Sequence, residues 1–273
     1  GPHAEVLALK AAGERARGAT LYVSLEPCAH EGRTPACVDA VIRAGISRVV
    51  AAAPDPNPRT DGKGFERLRE AGVDVELADG DLAARARRQN EAWRTWIALG
   101  RPFVTYKVAI TLDGRVSVPG SRWVTGERSR RRVHELRAAS DAVAVGMGTV
   151  RADDPLLTAR DVEAERQPRR LAFGGGPLPE GSELELVSGP LEGELARLGG
   201  EGVQSLLLEG GPTLAASFLA AGLVDKLLLF VAPTLSGSGP HFLGDFEGPL
   251  ELCFADVERI GDDVVLAAYL CGP

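Results

Sequence analysis

From residue 3 to residue 97 the sequence alternates between helix-like and strand-like stretches, the pattern of an α/β layer fold. HAEVLALKAAGERA reads as a helix, TLYVSLEP as a buried strand, TPACVDAVIRAG as a helix and ISRVVAAAPD as a second strand. GKGFERLREAG and VDVELA add a helix and a strand. Thr34 suits the N-cap of the second helix, Pro35 its first position and Gly45 its stop, which places Cys37 in the first turn.

LAARARRQNEAWRTWIALGRP reads as one helix that breaks at Gly100 and Pro102. A boundary there divides the chain into domains 1–99 and 100–273, and 273 residues suit two domains better than one core. Beyond it, FVTYKVAITLDG is strand-like, ERSRRRVHELRAAS is a basic helix and DAVAVGMGTV is a strand meeting glycines. VQSLLLEGGPTLAASFLAAGLVD reads as strand, Gly-Gly turn and helix, KLLLFVAPTL and DDVVLAAYL as strands, and GGGPLPEGSE as a surface loop. The second part is therefore α/β as well.

A net charge of −7 argues against a general nucleic-acid binder, although a few arginines in one pocket can still hold a small anion. No run approaches the ~20 apolar residues of a membrane helix and no cleavable signal is visible, so the expected location is the cytoplasm. The cysteines split into a close pair, Cys28 and Cys37, and two distant singles, Cys253 and Cys271, too sparse for a disulfide scaffold.

His3 and Glu5 diverge by roughly 200° on a helix flank, so they can share a target only at the helix end. Cys28, just past a strand, and Cys37, in a helix's first turn, can meet them there, and a helix N-terminus favours thiolates. One imidazole and two thiolates give Zn²⁺ three protein ligands and leave a fourth position for water, as catalytic sites do. A carboxylate that does not bind the metal can then shuttle protons. Zinc deaminases carry H-x-E and P-C-x-x-C. His3-Ala4-Glu5 and Pro27-Cys28 fit, whereas eight residues separate the two cysteines here. A closed structural site with His30 as fourth ligand and a Cys28–Cys37 disulfide remain open alternatives.

In LLLEGGPTLAASF the glycines between strand and helix let the backbone approach a diphosphate, which helix N–H groups and the helix dipole bind. The same order is also an ordinary structural turn of α/β proteins, and G-x-G-x-x-G is absent, so the residues alone leave both readings standing.

The stretch EPCAHEGRTPAC couples the wide cysteine spacing to Glu26-Pro27-Cys28, His30, Gly32-Arg33-Thr34-Pro35 and Cys37. It resembles the bifunctional riboflavin-biosynthesis deaminase/reductase family, in which the loop between the cysteines enters the substrate site. RPFVTYKVAITLDGR, SRWVTGERSRRRVHELRAASDAV, TVRADDPLLTAR and LLLEGGPTLAASFL resemble the reductase half of the same family. The resemblance implies an α/β fold class: a truncated cytidine-deaminase-like three-layer domain followed by a dihydrofolate-reductase-like α/β domain. It implies Zn²⁺ on His3, Cys28 and Cys37, with Glu5 catalytic and His30 at the substrate. NADPH contacts fall on Ala109, Trp123, Thr149, Asp153, Gly211, Pro212, Thr213, Leu214, Ala215, Ala216 and Ser217. Contacts to the phosphorylated substrate fall on Ser121, Arg137, Leu157, Arg160 and Glu209, with Lys107 and Asp153 catalytic beside the hydride path. Two arginines and a hydroxyl can clamp a ribose phosphate, and Glu209 can hold polar substrate atoms. Nothing local distinguishes Arg137 from Arg130, Arg131 or Arg132.

The reaction so implied is hydrolytic deamination of 2,5-diamino-6-ribosylamino-4(3H)-pyrimidinone 5′-phosphate, then NADPH-dependent reduction of ribosyl to ribityl, giving 5-amino-6-ribitylamino-uracil 5′-phosphate. The expected partner is a small phosphorylated pyrimidine, with no nucleic acid and no membrane, and a homo-oligomer is left open. Two alternatives stand beside it: a reductase whose truncated deaminase domain is inactive, and a zinc-stabilised nucleotide-binding module without turnover. In the family a helix and a strand pair precede the His-Ala-Glu helix. The chain is therefore expected to be N-terminally incomplete, to expose a strand edge at residues 20–26 and to deaminate poorly.

Overall fold

The computed structural model describes residues 2–30, 35–58, 60–244 and 248–270. The chain divides into two compact units, Gly1–Leu99 and Gly100–Pro273. In the N-terminal unit α1 (Ala4–Ala12) runs through a 3₁₀ turn to β1 (Thr20–Val23). Then come α2 (Cys37–Arg43), β2 (Arg48–Ala51), α3 (Lys63–Glu70), β3 (Asp74–Leu77), α4 (Gly80–Gln89) and α5 (Glu91–Leu99). The strands pair in parallel in the order β1-β2-β3, Arg48 lying between Thr20 and Asp74. Strand alternation sends Val49 to one face, where it packs with Leu9, Val38, Val41 and Leu68 of α1–α3. On the other face Ala52 packs with Ala86 of α4, so helices cover both sides of the sheet.

Two sequence expectations are corrected in this unit. The single helix expected before Gly100 is two, because Asn90 (φ −114°, ψ 22°) leaves the helical region and ends α4, while its carbonyl accepts the Arg94 N–H and opens α5. Helix α2 starts at Cys37 with Ala36 as its N-cap; Thr34 lies outside the described residues. The reason is local. The Cys28 sulfur accepts the Cys37 N–H at 3.3 Å and the Cys28 carbonyl accepts that of Val38 at 3.2 Å, so the neighbouring loop satisfies the first two helix donors. Gly45, at φ 70°, follows the last turn as a helix stop.

The C-terminal unit runs β4 (Phe103–Thr111), α6 (Glu127–Ala139), β5 (Ala142–Gly146), α7 (Met147–Asp153), β6 (Arg169–Phe173) and β7 (Glu185–Val187). It continues with α8 (Leu191–Gly200), β8 (Ser205–Leu208), α9 (Pro212–Ala220), β9 (Lys226–Ala232), β10 (Leu252–Ile260) and β11 (Asp263–Leu270). Its sheet has the order β10-β11-β9-β4-β8-β5-β6-β7. From β9 to β7 neighbours are parallel, and the β10–β11 hairpin joins β9 antiparallel. Tyr106, Leu206, Leu208 and Phe218 form the centre of the core, and the Tyr106 hydroxyl donates to the Phe242 carbonyl at 2.7 Å.

Strands β6 and β7 are only five and three residues long and carry no clear period in the sequence. Cys253, on β10, is disulfide-bonded rather than an isolated thiol; Cys271 lies outside the described residues. No helix among the described residues is long and apolar enough to cross a membrane.

Candidate active sites

In the N-terminal unit His3 is the N-cap of α1, in extended backbone (φ −66°, ψ 156°), so its ring is not bound to the angular spacing of the helix. Its Nδ1 lies 3.0 Å from the Cys37 sulfur and 3.6 Å from that of Cys28. The ligand-type atoms of His3, Cys28 and Cys37 all lie within 4.8 Å of one another. Both cysteines are free thiols, which removes the disulfide alternative. Burial first, then the Glu5 carboxylate and Cys28, hold the Cys37 thiol well above its ordinary range. Glu5 thus stands beside the cluster. The set fits zinc: one imidazole and two sulfurs, crowded and short of counter-charge, become good ligands once a divalent cation draws the thiol protons off.

His30 stands outside this cluster, its Nδ1 3.1 Å from the Thr60 hydroxyl. Glu26, 2% exposed, accepts four backbone N–H groups, from Asp55, Gly62, Gly64 and Phe65, at 2.9–3.3 Å. It fastens the loop after β2 beneath the Pro27-Cys28 turn. Gly64 completes the contact, since a Cβ there would sit 2.1 Å from the Pro27 carbonyl oxygen.

In the C-terminal unit a cavity of about 520 Å³ takes in residues from β4, α6, α7 and the β8–α9 turn. Glu209, just past β8, receives Arg137 of α6 through Nε at 2.6 Å and Nη2 at 3.1 Å, and Lys107 of β4 at 3.5 Å. Burial pushes the Glu209 carboxyl up, but Lys107 and Arg137 outweigh it and leave the group below its ordinary range. Arg137 differs from its neighbours in burial, with 14% of its side chain exposed against 71% for Arg131 and 49% for Arg132. Gly210 presses on Leu214, 2.9 Å from where its Cβ would be, and α9 starts at Pro212 with no side-chain cap. That leaves first-turn N–H groups for a ligand, beside a lining rich in arginine, so the cavity fits a phosphorylated dinucleotide.

The cavity brings together Lys107, Ala109, Trp123, Arg137, Thr149 and Asp153, and with them Arg160, Glu209, Gly211 and Pro212. Trp123 has the guanidinium groups of Arg122 and Arg130 at 5.0 and 5.1 Å from its ring centre. Other residues named from the sequence are not part of its lining. Leu157, at φ 52°, is buried with Val143, Val145 and Met147, and Ala215 is fully buried in the main core. Leu214 packs against that core and Ala216 is buried. The Ser217 hydroxyl donates to the Thr213 carbonyl along α9, and Ser121 forms a local turn with Trp123. Arg130 and His134 line the cavity as well, and their signal in the sequence is helical spacing, since 130, 133, 134 and 137 share one face of α6.

Fold and donor sets define a class, an α/β protein with a deaminase-like unit and a reductase-like unit. The sequence profile of the RibD C-terminal domain matches residues 102–175 and 183–266, and that of the cytidine and deoxycytidylate deaminase zinc-binding region matches residues 1–53. Riboflavin biosynthesis protein RibD of Aquifex aeolicus is 40% identical, the match covering 97% of this chain and 84% of that protein. The Escherichia coli protein of that name is 37% identical over 97% of this chain and 86% of its own length. The solved structure of Acinetobacter baumannii RibD, form 1, superposes with a TM-score of 0.86 at 36% identity, covering 100% of this chain and 86% of that one. The chain belongs to the RibD family.

Proposed function

We propose that this chain is a bifunctional enzyme of riboflavin biosynthesis, with residues 1–99 as its deaminase domain and residues 100–273 as its reductase domain. The observation that carries the reading is the convergence of His3, Cys28 and Cys37 beside Glu5. On this reading it is a cytoplasmic enzyme of small phosphorylated pyrimidines. The substrate is 2,5-diamino-6-ribosylamino-4(3H)-pyrimidinone 5′-phosphate, deaminated and then reduced to 5-amino-6-ribitylamino-uracil 5′-phosphate.

When bound, zinc supplies a Lewis acid for hydrolysis and NADPH supplies the hydride. His3, Cys28 and Cys37 hold the metal. Glu5 takes a proton from the attacking water and gives it to the departing ammonia. His30, steadied by Thr60, orients the pyrimidine. In the second domain the uncapped start of α9 takes the cofactor diphosphate, bordered by Thr149 and Asp153. Arg160 and Arg137 attract the substrate phosphate, while Lys107 and Glu209 hold the sugar's polar atoms as the ribosyl ring opens.

The test supplies zinc, the diaminopyrimidine substrate and NADPH, and follows ammonia release and loss of NADPH absorbance. Both signals are expected, with ammonia release the weaker of the two. NADPH oxidation on the deaminated substrate without ammonia from the first would leave a reductase alone, and neither signal would leave a binding module.

A further inference from the structure

We infer that His134 is a substrate-binding residue of the C-terminal cavity, its Nδ1 accepting the Arg160 backbone N–H and its Nε2–H donating to the phosphate of the substrate. The inference rests on the reading that this cavity holds a phosphorylated sugar. His134 lies one turn before Arg137 on α6 and lines the cavity with it and with Arg160. Its Nδ1 is 3.2 Å from the Arg160 nitrogen and 3.2 Å from the Thr158 carbonyl oxygen.

Those two neighbours ask for opposite things. A backbone N–H can only donate, so Arg160 needs a bare lone pair on Nδ1, whereas the Thr158 carbonyl would need a proton there. The carbonyl already accepts from Arg137 Nη1 at 3.2 Å, so it is satisfied without His134. Arg160 N–H has its partner only if Nδ1 is bare. A neutral imidazole carries a single proton, which must then sit on Nε2.

The surroundings keep the ring neutral. Burial first, then Arg137 and Arg160, lower its pKa, against the Thr158 carbonyl and Glu209, which raise it. Arg130 on the same helix and Lys107 of β4 line the cavity too and add to its positive charge. A neutral donor gives the clamp direction without adding to the repulsion among its cations. The anchored segment is held from its other side too, where the Gln167 side chain accepts the Ala159 N–H at 2.9 Å and donates to its carbonyl at 3.0 Å. His134 therefore also fixes where Arg160 starts.

Two measurements decide the matter. Nitrogen–proton correlation spectra of histidine-labelled protein, with the His134 signals identified by their loss in His134→Asn, are expected to show the Nε2–H tautomer at neutral pH. An Nδ1–H tautomer or an imidazolium would overturn the assignment. Asparagine keeps an acceptor near the Nδ1 position and loses the distant donor, whereas glutamine keeps a distant donor. His134→Asn is expected to bind ribose 5-phosphate about 10-fold more weakly, with ribose and NADPH unaffected, and His134→Gln to lose less. Unchanged ribose 5-phosphate affinity in His134→Asn, or an equal loss of NADPH affinity, would overturn the binding role. If the parent protein binds NADPH but not ribose 5-phosphate, the reading of the cavity falls and the phosphate role with it. The tautomer result is independent of both.

Discussion

In the N-terminal unit three metal-type donors lie within 4.8 Å of one another, and Cys37 is held protonated by burial and by the Glu5 carboxylate. In the C-terminal unit the buried carboxylate of Glu209 is already enclosed by two cations, Lys107 and Arg137, and keeps its charge. The first site is completed by a ligand from outside the chain and the second largely by the chain itself. Substitutions should therefore divide cleanly. In the first unit chemistry and metal should fail while the fold survives; in the second, removing the central charge should damage fold and function together.

The largest effect is expected from Glu5→Gln, which keeps shape and hydrogen bonding but cannot cycle a proton. Ammonia release should fall by about 10²–10⁴-fold while zinc content and NADPH oxidation stay at the parent level. Cys37→Ser is the complementary break, since it should lose most of the zinc, measured by elemental analysis, with the reductase intact. If Glu5→Gln also loses its zinc, Glu5 is a ligand and the first site is not the open cluster described.

Next in size is Glu209→Ala. It strands Lys107 and Arg137, with 12% and 14% of their side chains exposed, as unpaired cations, at a cost of about 3–5 kcal/mol in denaturant unfolding. The parent pair also has a pH signature. The folded pKa of Glu209 lies below its unfolded value, so its contribution is complete above the ordinary carboxylate range and is lost as pH falls through the folded value. Glu209→Ala should show a flatter acid limb. A stability loss no larger than that of a surface variant would mean the pair is not the centre of this unit.

The same contrast explains what the sequence made legible. The zinc cluster is built from rare residue types within 35 positions of one another, and the Cys28–Cys37 segment could be read almost as a unit. What could not be read was the start of α2, because its cap is a sulfur and a carbonyl from Cys28 rather than a capping side chain of its own. The second site draws common residue types from β4, α6 and the end of β8, and only packing separates Arg137 from Arg131 and Arg132. Parallel strands such as β4 and β9 were visible as apolar runs. The short strands β6 and β7 were not, since five or three residues carry little period.

A smaller effect tests whether the first unit's fold and site are as separable as the comparison holds. Gly64→Ala places a Cβ against the Pro27 carbonyl and the Glu26 carboxylate, which must move. The expected loss is about 1–3 kcal/mol, and because Pro27 adjoins Cys28 the zinc affinity should fall with it. Intact zinc affinity at reduced stability would show that Cys28 is positioned from α2 alone.

The smallest effect belongs to the surface of the C-terminal unit, where charge pairing is as dense as around Glu209 but water has access. Arg197 donates to Glu194 and Glu201 at 2.8 and 2.7 Å, and Arg169 donates to Glu185 and Glu201 at 2.7 Å each. The side chains of Arg197 and Glu201 are 40% and 41% exposed, so solvent and salt screen what the geometry offers. The bonds from Arg169, and then from Arg197, hold Glu201 below its ordinary range, which makes this network another contributor lost on the acid side. Arg197→Ala should lower the melting midpoint by no more than about 2–4 °C, and the difference should shrink further in high salt. Set beside Glu209→Ala, the two variants remove partners from ion-pair clusters of similar distances and different exposure. If Arg197→Ala proves as costly as Glu209→Ala, burial is not what separates the clusters, and the self-completed second site loses its physical basis.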